Sequence, residues 1–421
     1  MAAISFLSRI SSRPLGRPPR VWRLVAVGLL MGAVIFGGAV KAANNSVQGA
    51  KKEEGGFDSG APTAILIEAK SGSILFEKNA DELRAPSSMM KLMTTEVVFD
   101  ALTKGEIKLD DEYKISENAW RKGGAPSGGS TMFAAINSRV KVDDLLHGAV
   151  IQSGNDSCIA LAEGISGNER DFVDRMTKRA RELGLTQSTF GNVNGLPDPA
   201  NKMTVRELGM LARHIILTYP EYYKLFGERE FTWNKIRQLN RNPLLNSLEG
   251  ADGLKTGYTK EGGYGMVGSA VQNGIRLIVV VNGLEDSDDR ASEAKRLLEW
   301  GFRSFEIRTL FAKDQTVGYA KVFGGDSGSV KLTASEPVKV MVQRNGNDKL
   351  LGRIVYNGPV KAPIQAGQHI GTLKVWRGSN LALEMPLFAG APVERGSTTR
   401  RALDGVSELV IGLFRAGVEK L

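Results

Sequence analysis

Ser88 and Lys91 stand three apart in the stretch APSSMMKLMTT, Ala85 to Thr95, with two methionines between them. On a helix, residues three apart share a face, which brings a hydroxyl and an amine within reach. Serine becomes an effective nucleophile when a base takes its proton. A lysine acts as that base only when burial or a neighbouring cation lowers its pKa. Met89, Met90 and Met93 supply apolar surroundings. The spacing alone is weak, since a lysine on a buried helix commonly threads its ammonium out to water. Two more motifs follow: Ser153-Gly154-Asn155, then Lys255-Thr256-Gly257. Alone, Ser153 and Asn155 would read as helix caps and Lys-Thr-Gly as a surface turn. The ordered set S-x-x-K, S-x-N and K-T-G points instead to acyl transfer through a serine. Lys255 then offers the second ammonium that would make Lys91 a base at ordinary pH.

The rest of the chain must position these groups. At 421 residues, with 42% hydrophobic and 24% charged residues, it is long enough for two or three globular domains. The net charge of +9 suggests nucleic acid until its distribution is considered: Arg9, Arg13, Arg17, Arg20, Arg23 and Lys41 precede residue 43 with no acid, leaving 49 basic against 46 acidic residues beyond. No nucleic-acid partner is expected. That basic region runs into the apolar stretch Leu24 to Val40 and a V-x-A site ending at Ala42, the layout of a signal peptide over residues 1–42. An uncleaved anchor is the alternative, and either form exports the chain. The single Cys158 excludes an intramolecular disulfide and, in apolar helical surroundings, reads as a core residue. His147, His214 and His369 have no ligand spacing, so neither metal nor other cofactor is expected.

After a linker, residues 43–60, two strands are expected at Thr63–Glu68 and Ser73–Glu77 around a tight turn. Helical spacing follows over Ser88–Ala101, Val142–Gln152, Asp156–Glu163 and Arg170–Leu183, and Thr204 to Glu207 reads as a capping box. The Gly/Pro/Asn/Asp-rich stretch STFGNVNGLPDPANKM reads as a loop packed over something. YGMVGSAVQ and IRLIVVVNG flank Asn273-Gly274, a hairpin signal, and a helix follows over Asp288–Phe302. Strands at both ends with helices between predict an α+β fold, an antiparallel sheet with packed helices, over residues 61–308. Short strand-like runs between turns predict a small C-terminal all-β domain over 309–399. In the tail, 400–421, Leu403, Val406, Val410, Leu413, Phe414, Gly417 and Leu421 share a helical face, expected to rest on a membrane surface or dock on protein.

The stretches AILIEAKSGSILFEKNADELRAPSSMMKLMTT, QSGNDSCIALAE, GNVNGLPDPANKMT and GADGLKTGYTKEGGYGMVGSA resemble the low-molecular-mass penicillin-binding proteins, the D-alanyl-D-alanine carboxypeptidases of peptidase family S11, with the transpeptidase fold shared with β-lactamases. The β-rich region and tail also resemble that group's C-terminal domain and anchoring helix. The resemblance implies removal of the terminal D-alanine from peptidoglycan stem pentapeptide, acylation by β-lactams, and a place on the periplasmic face of the bacterial inner membrane. It implies Ser88 as nucleophile, Lys91 as base, Ser153 as proton shuttle to the leaving D-alanine, and Asn155 as a hydrogen-bond partner of Lys91 or substrate. Lys255 and Thr256 would hold the terminal carboxylate, Gly257 would permit close backbone approach, and the N–H groups of Ser88 and Tyr258 would form the oxyanion hole. A loop bordering the cleft in relatives matches the expanded, Gly-rich segment Gly123 to Phe133. Alternatives are a DD-endopeptidase, a non-turning-over wall scaffold, or a β-lactamase, which would need a Glu and an Asn placed to activate deacylating water; no Glu-x-x-x-Asn spacing is expected between Ser153 and Lys255.

Overall fold

The computed structural model describes residues 2–7, 57–344, 346, 349–378 and 380–402. The expected signal peptide, the linker up to residue 56 and the tail from residue 403 therefore lie outside the described residues, except for a strand at Ala2–Leu7 beside Leu350–Tyr356. Among the described residues no helix is long and apolar enough to cross a membrane.

The N-terminal half is built on a five-stranded antiparallel sheet. Its strands are β1 (Thr63–Glu68), β2 (Ile74–Lys78), β3 (Ala251–Thr259), β4 (Gly263–Gln272) and β5 (Ile275–Leu284), in the spatial order β2-β1-β5-β4-β3. Asn273 and Gly274 both take positive φ, 51° and 74°, the twist a two-residue hairpin needs. All six residues of β1 are buried, as befits a central strand covered on both faces. The helices fill the long interval between β2 and β3: α1 (Lys91–Thr103), α2 (Glu117–Gly123), α3 (Val142–Val150), α4 (Asn155–Ser166), α5 (Glu169–Glu182) and α6 (Val205–Thr218). α7 (Ser287–Ser304) covers the other face, packing Leu297 and Leu298 against Leu66, Leu277 and Val279.

α1 is the hub. Its residues from Lys91 to Leu102 are all buried, the polar Lys91, Thr94, Thr95, Glu96 and Asp100 included. Its acids are accommodated by pairing: Glu96, fully buried, accepts from Arg179 Nε at 2.9 Å and Tyr219 Oη at 3.2 Å. The expected capping box at α6 is half formed. Thr204 accepts from the Glu207 N–H at 3.0 Å, while the Glu207 carboxylate turns to the Gln187 N–H and the Ser188 hydroxyl, tying down the preceding loop.

The C-terminal half is β-rich. Phe305–Phe311 pairs with Val338–Gln343, and a larger sheet runs through Leu350–Tyr356, His369–Arg377, Asn380–Ala389, Ser329–Thr333 and Thr316–Phe323. Its strands are antiparallel except where Val360–Lys361 joins Thr316–Phe323 in parallel. Arg377 joins the two halves: it donates to the Ile74 carbonyl on β2 at 2.6 Å and lies 4.9 Å over the Phe305 ring.

Candidate active site

The backbone around Ser88 is set by its neighbours. Pro86 has φ −77° and Ser87 φ 51°, and residues Ser87–Met90 make a single 3-10 turn before α1 begins at Lys91. A positive φ on serine is strained and survives only where surroundings enforce it. Two contacts do so here: Ser87 Oγ lies 2.9 Å from Thr259 Oγ1 on β3, and Gly195 presses on the Ser87 carbonyl from the loop opposite. A Cβ on Gly195, whose φ is +80°, would lie 2.0 Å from that oxygen, so only glycine fits.

Lys91 Nζ donates to Ser88 Oγ at 2.9 Å and to the Asn194 carbonyl at 2.8 Å. Lys91 is 1% exposed and does not thread to water. Burial pushes its pKa down to about 8; Arg241 adds to the lowering, while Cys158 and Asp156 act the other way. A base near neutrality within hydrogen-bond reach of a serine hydroxyl meets the requirement for general-base activation. Burial raises the Cys158 thiol to about 11, leaving it protonated and in the core, as its surroundings in the sequence imply.

Ser153 precedes α4 with φ 65°, and α4 is capped by Gly154 with no side-chain bond, so Ser153 is not a cap. Its Oγ is buried and makes no hydrogen bond among the described residues, an orphaned polar atom that calls for an explanation. Asn155 is buried, and its N–H donates to the Ser130 carbonyl at 2.8 Å. Among the described residues its side chain makes no hydrogen bond to Lys91; the Asn194 carbonyl fills that place. Asp156, next in sequence, organises the bordering loop. Its carboxylate accepts from Thr131 Oγ1 at 2.6 Å and from the N–H groups of Met132, Ala134 and Ser157 at 3.0, 3.2 and 3.0 Å. Burial outweighs these bonds and raises its pKa.

Among the described residues β3 lies at the edge of the sheet, paired only with β4. Its other edge meets the nucleophile turn. A Cβ on Gly257 would lie 3.0 Å from Met89 N and 3.1 Å from the Pro86 carbonyl, so the glycine serves close packing on the turn that carries Ser88. Lys255 is 2% exposed, in mid-strand and not in a surface turn, and donates to the Thr256 carbonyl at 3.3 Å. Burial holds its pKa well below the ordinary lysine value, with Lys91, Arg241 and Arg290 adding repulsion. An anionic ligand among these cations would restore the charge on Lys255. Thr256 is buried beside it, and Tyr258 is 53% exposed with its ring stacked on Tyr264 at 4.1 Å.

The three motifs thus come together: the first and third in contact through Gly257, the second bringing Asp156 and Cys158 into the electrostatic surroundings of Lys91. Sequence reasoning missed Asn194, which acts through a backbone carbonyl that no side-chain pattern encodes. It also missed Asp156, although its place directly after Ser-Gly-Asn was a usable signal, and Arg241, which donates to Ser130 Oγ at 2.8 Å. A Glu-x-x-x-Asn spacing does occur between Ser153 and Lys255, at Glu230 and Asn234. It lies on a short hairpin, where exposed Glu230 is paired with Arg237 rather than aimed at Ser88.

Residues 48–286 match the D-alanyl-D-alanine carboxypeptidase family, peptidase S11, and residues 305–395 match the penicillin-binding protein 5 C-terminal domain. The chain is 40% identical to the D-alanyl-D-alanine carboxypeptidase DacC of Escherichia coli over 81% of its own length and 86% of the relative's. Among solved structures it is similar to penicillin binding protein 5 from Haemophilus influenzae, with a TM-score of 0.71 and 35% identity over 81% of this chain and 99% of that one. It is also similar to penicillin-binding protein D2 from Listeria monocytogenes in its ampicillin-bound form, with a TM-score of 0.53 and 28% identity over 59% of this chain and 99% of that one. A serine hydrogen-bonded to a buried lysine in this fold, with these relatives across both halves, shows that the chain belongs to the D-alanyl-D-alanine carboxypeptidases of peptidase family S11 and is a serine-type enzyme of that class.

Proposed function

We propose that Ser88 is the residue acylated, with neutral Lys91 taking its proton. The observation that carries this reading is the 2.9 Å bond from Lys91 Nζ to Ser88 Oγ in a site that lowers the lysine to about 8. Ser88 Oγ attacks the carbonyl of the penultimate D-alanine in a peptidoglycan stem pentapeptide. The N–H groups of Ser88 and Tyr258 stabilise the oxyanion. Collapse breaks the peptide bond, and the orphaned Ser153 hydroxyl relays a proton to the leaving D-alanine. Water then hydrolyses the acyl-enzyme. Asn155 meets the substrate amide, and Lys255 and Thr256 take the terminal carboxylate, whose charge returns the proton to Lys255. Gly257 holds β3 against the nucleophile turn. β-Lactams acylate the same serine as mimics of D-Ala-D-Ala.

The proposed organisation is a signal peptide over 1–42, a linker over 43–60, a catalytic domain over 61–308, a β-rich domain over 309–399 and a tail at 400–421 that rests on the periplasmic face of the inner membrane. The apolar face of that tail in the sequence supports its membrane role. The test is D-alanine release from a soluble pentapeptide ending in D-Ala-D-Ala. The parent chain is expected to release it and Ser88→Ala to release none; no release from the folded parent would favour an endopeptidase or a scaffold.

A further inference from the structure

The large sheet of the β-rich half has Leu350–Tyr356 near one side, with His369–Arg377 as its inner neighbour. Its outer edge is filled by Ala2–Leu7, antiparallel and in unbroken register from Ala2 opposite Tyr356 to Leu7 opposite Leu351. Strand addition of this kind uses the row of N–H and C=O groups that an edge strand leaves over. Six consecutive residues pair, so this edge is long and regular enough to take an added strand.

Ala2–Leu7 is not available to the exported enzyme. It precedes the basic segment and the apolar stretch Leu24–Val40, so export either removes it with residues 1–42 or leaves it on the cytoplasmic side of the membrane. The chain's other segments outside the described residues do not replace it. Residues 43–56 carry Lys51, Lys52, Glu53, Glu54, Gly55 and Gly56 with no apolar alternation, and the tail is spaced as a helix.

The chemistry beside the edge says what fits it. Ile354 and Tyr356 lie in the core of the β-rich half, so the alternate residues Leu351, Arg353 and Val355 face outward. On the neighbouring strand Trp376 stands opposite Leu351 and Lys374 opposite Arg353. Lys374 is paired with Glu384 at 3.1 Å. Arg353 is exposed and lies 5.5 Å over the Trp376 ring, and it makes no ion pair among the described residues. An added strand therefore meets an apolar residue, an uncompensated cation and another apolar residue in turn. A second copy of the same strand, overlapped in full, sets Arg353 against Arg353, a like-charge pair that disfavours self-pairing.

On the basis of the exported organisation given above, we infer that the edge of Leu350–Tyr356 docks an extended segment of a partner protein as a further antiparallel strand. That segment carries an acidic residue opposite Arg353 and apolar residues two positions to either side. The site lies in the β-rich half and takes no part in the chemistry at Ser88.

The experiment uses the exported chain, purified from membranes and checked by mass for loss of residues 1–42. It is titrated with a labelled peptide of residues 1–8, MAAISFLS, whose register puts Ser5 opposite Arg353, and with the Ser5→Glu and Ser5→Lys forms. Fluorescence anisotropy is expected to show binding of all three, with the glutamate form about 2–5-fold tighter than the parent peptide, the scale of one opposite-charge cross-strand pair. Amide exchange is expected to show new protection over residues 350–356. Arg353→Glu in the protein is expected to reverse the order of the glutamate and lysine peptides while D-alanine release is unchanged. Equal binding of the three peptides, or no protection of residues 350–356, would overturn the docking site and leave the carboxypeptidase reading intact. Protection already present before peptide is added would overturn the vacancy: sedimentation as a dimer would give the edge to a second copy, and a mass that retains residues 2–7 would overturn the cleavage reading as well.

Discussion

A lysine surrounded by Met89, Met90 and Met93, each with no exposed surface, can act as a base because the site disfavours its charge. In the mechanism we propose, Lys91 works as a neutral amine, so the acylation step should gain from rising pH. The expected outcome is a kcat/KM for D-alanine release that climbs about tenfold per pH unit well below 8 and levels off above it. A flat profile from pH 6 to 9 would contradict a titrating Lys91. The same shift has a stability sign. A lysine whose folded pKa lies below its unfolded value destabilises the fold fully below about 8, and the cost fades as pH approaches the ordinary 10.5. At this scale the pairing of Ser88 with Lys91 was legible from residue type and spacing. Asn194 was not, because its contribution is a carbonyl, and Ser87 was not, because its strained φ depends on Gly195 and Thr259, both more than a hundred residues away.

At the level of elements, the site is a junction between one helix start and one edge strand. β3 comes close enough to the nucleophile turn only because residue 257 lacks a side chain: a Cβ there would sit at 3.0 Å from Met89 N and 3.1 Å from Ser87 Cβ. Gly257→Ala is therefore expected to cost about 1–3 kcal/mol of stability by overpacking and to slow acylation by at least about tenfold by displacing Ser88. Urea unfolding and penicillin acylation rates measure the two; an unchanged acylation rate would show that the turn tolerates the added methyl. The hairpin at Asn273-Gly274, the capped start of α6 and the helical runs of α3 to α5 were readable from local pattern. The hairpin at Glu230–Trp233 and Ile236–Leu239 was not anticipated, for its residues alternate weakly. Its attachment is long-range, through Gln238 Nε2 donating to the Met132 carbonyl at 3.0 Å.

Across the whole molecule, the β-rich half is fastened to the outer strand of the catalytic sheet. Besides Arg377, the Ser73 hydroxyl donates to the Ala382 carbonyl, and Lys70 faces Glu336 at 3.4 Å. The β character of this half was legible from short runs between turns, whereas the strand at Phe305–Phe311 was not anticipated, and the boundary expected between residues 308 and 309 falls inside it. With the signal peptide cleaved, removal of residues 400–421 should shift the protein from the membrane to the soluble fraction while D-alanine release persists, measured by fractionation and assay. Continued membrane attachment would favour an uncleaved N-terminal anchor.

The most direct measurement of the central claim is covalent labelling of the full-length chain with a fluorescent penicillin, followed by mapping of the adduct. The label is expected on Ser88 and to be absent from Ser88→Ala; a stable adduct on another residue, or labelling of the variant at the parent's rate, would contradict the assignment.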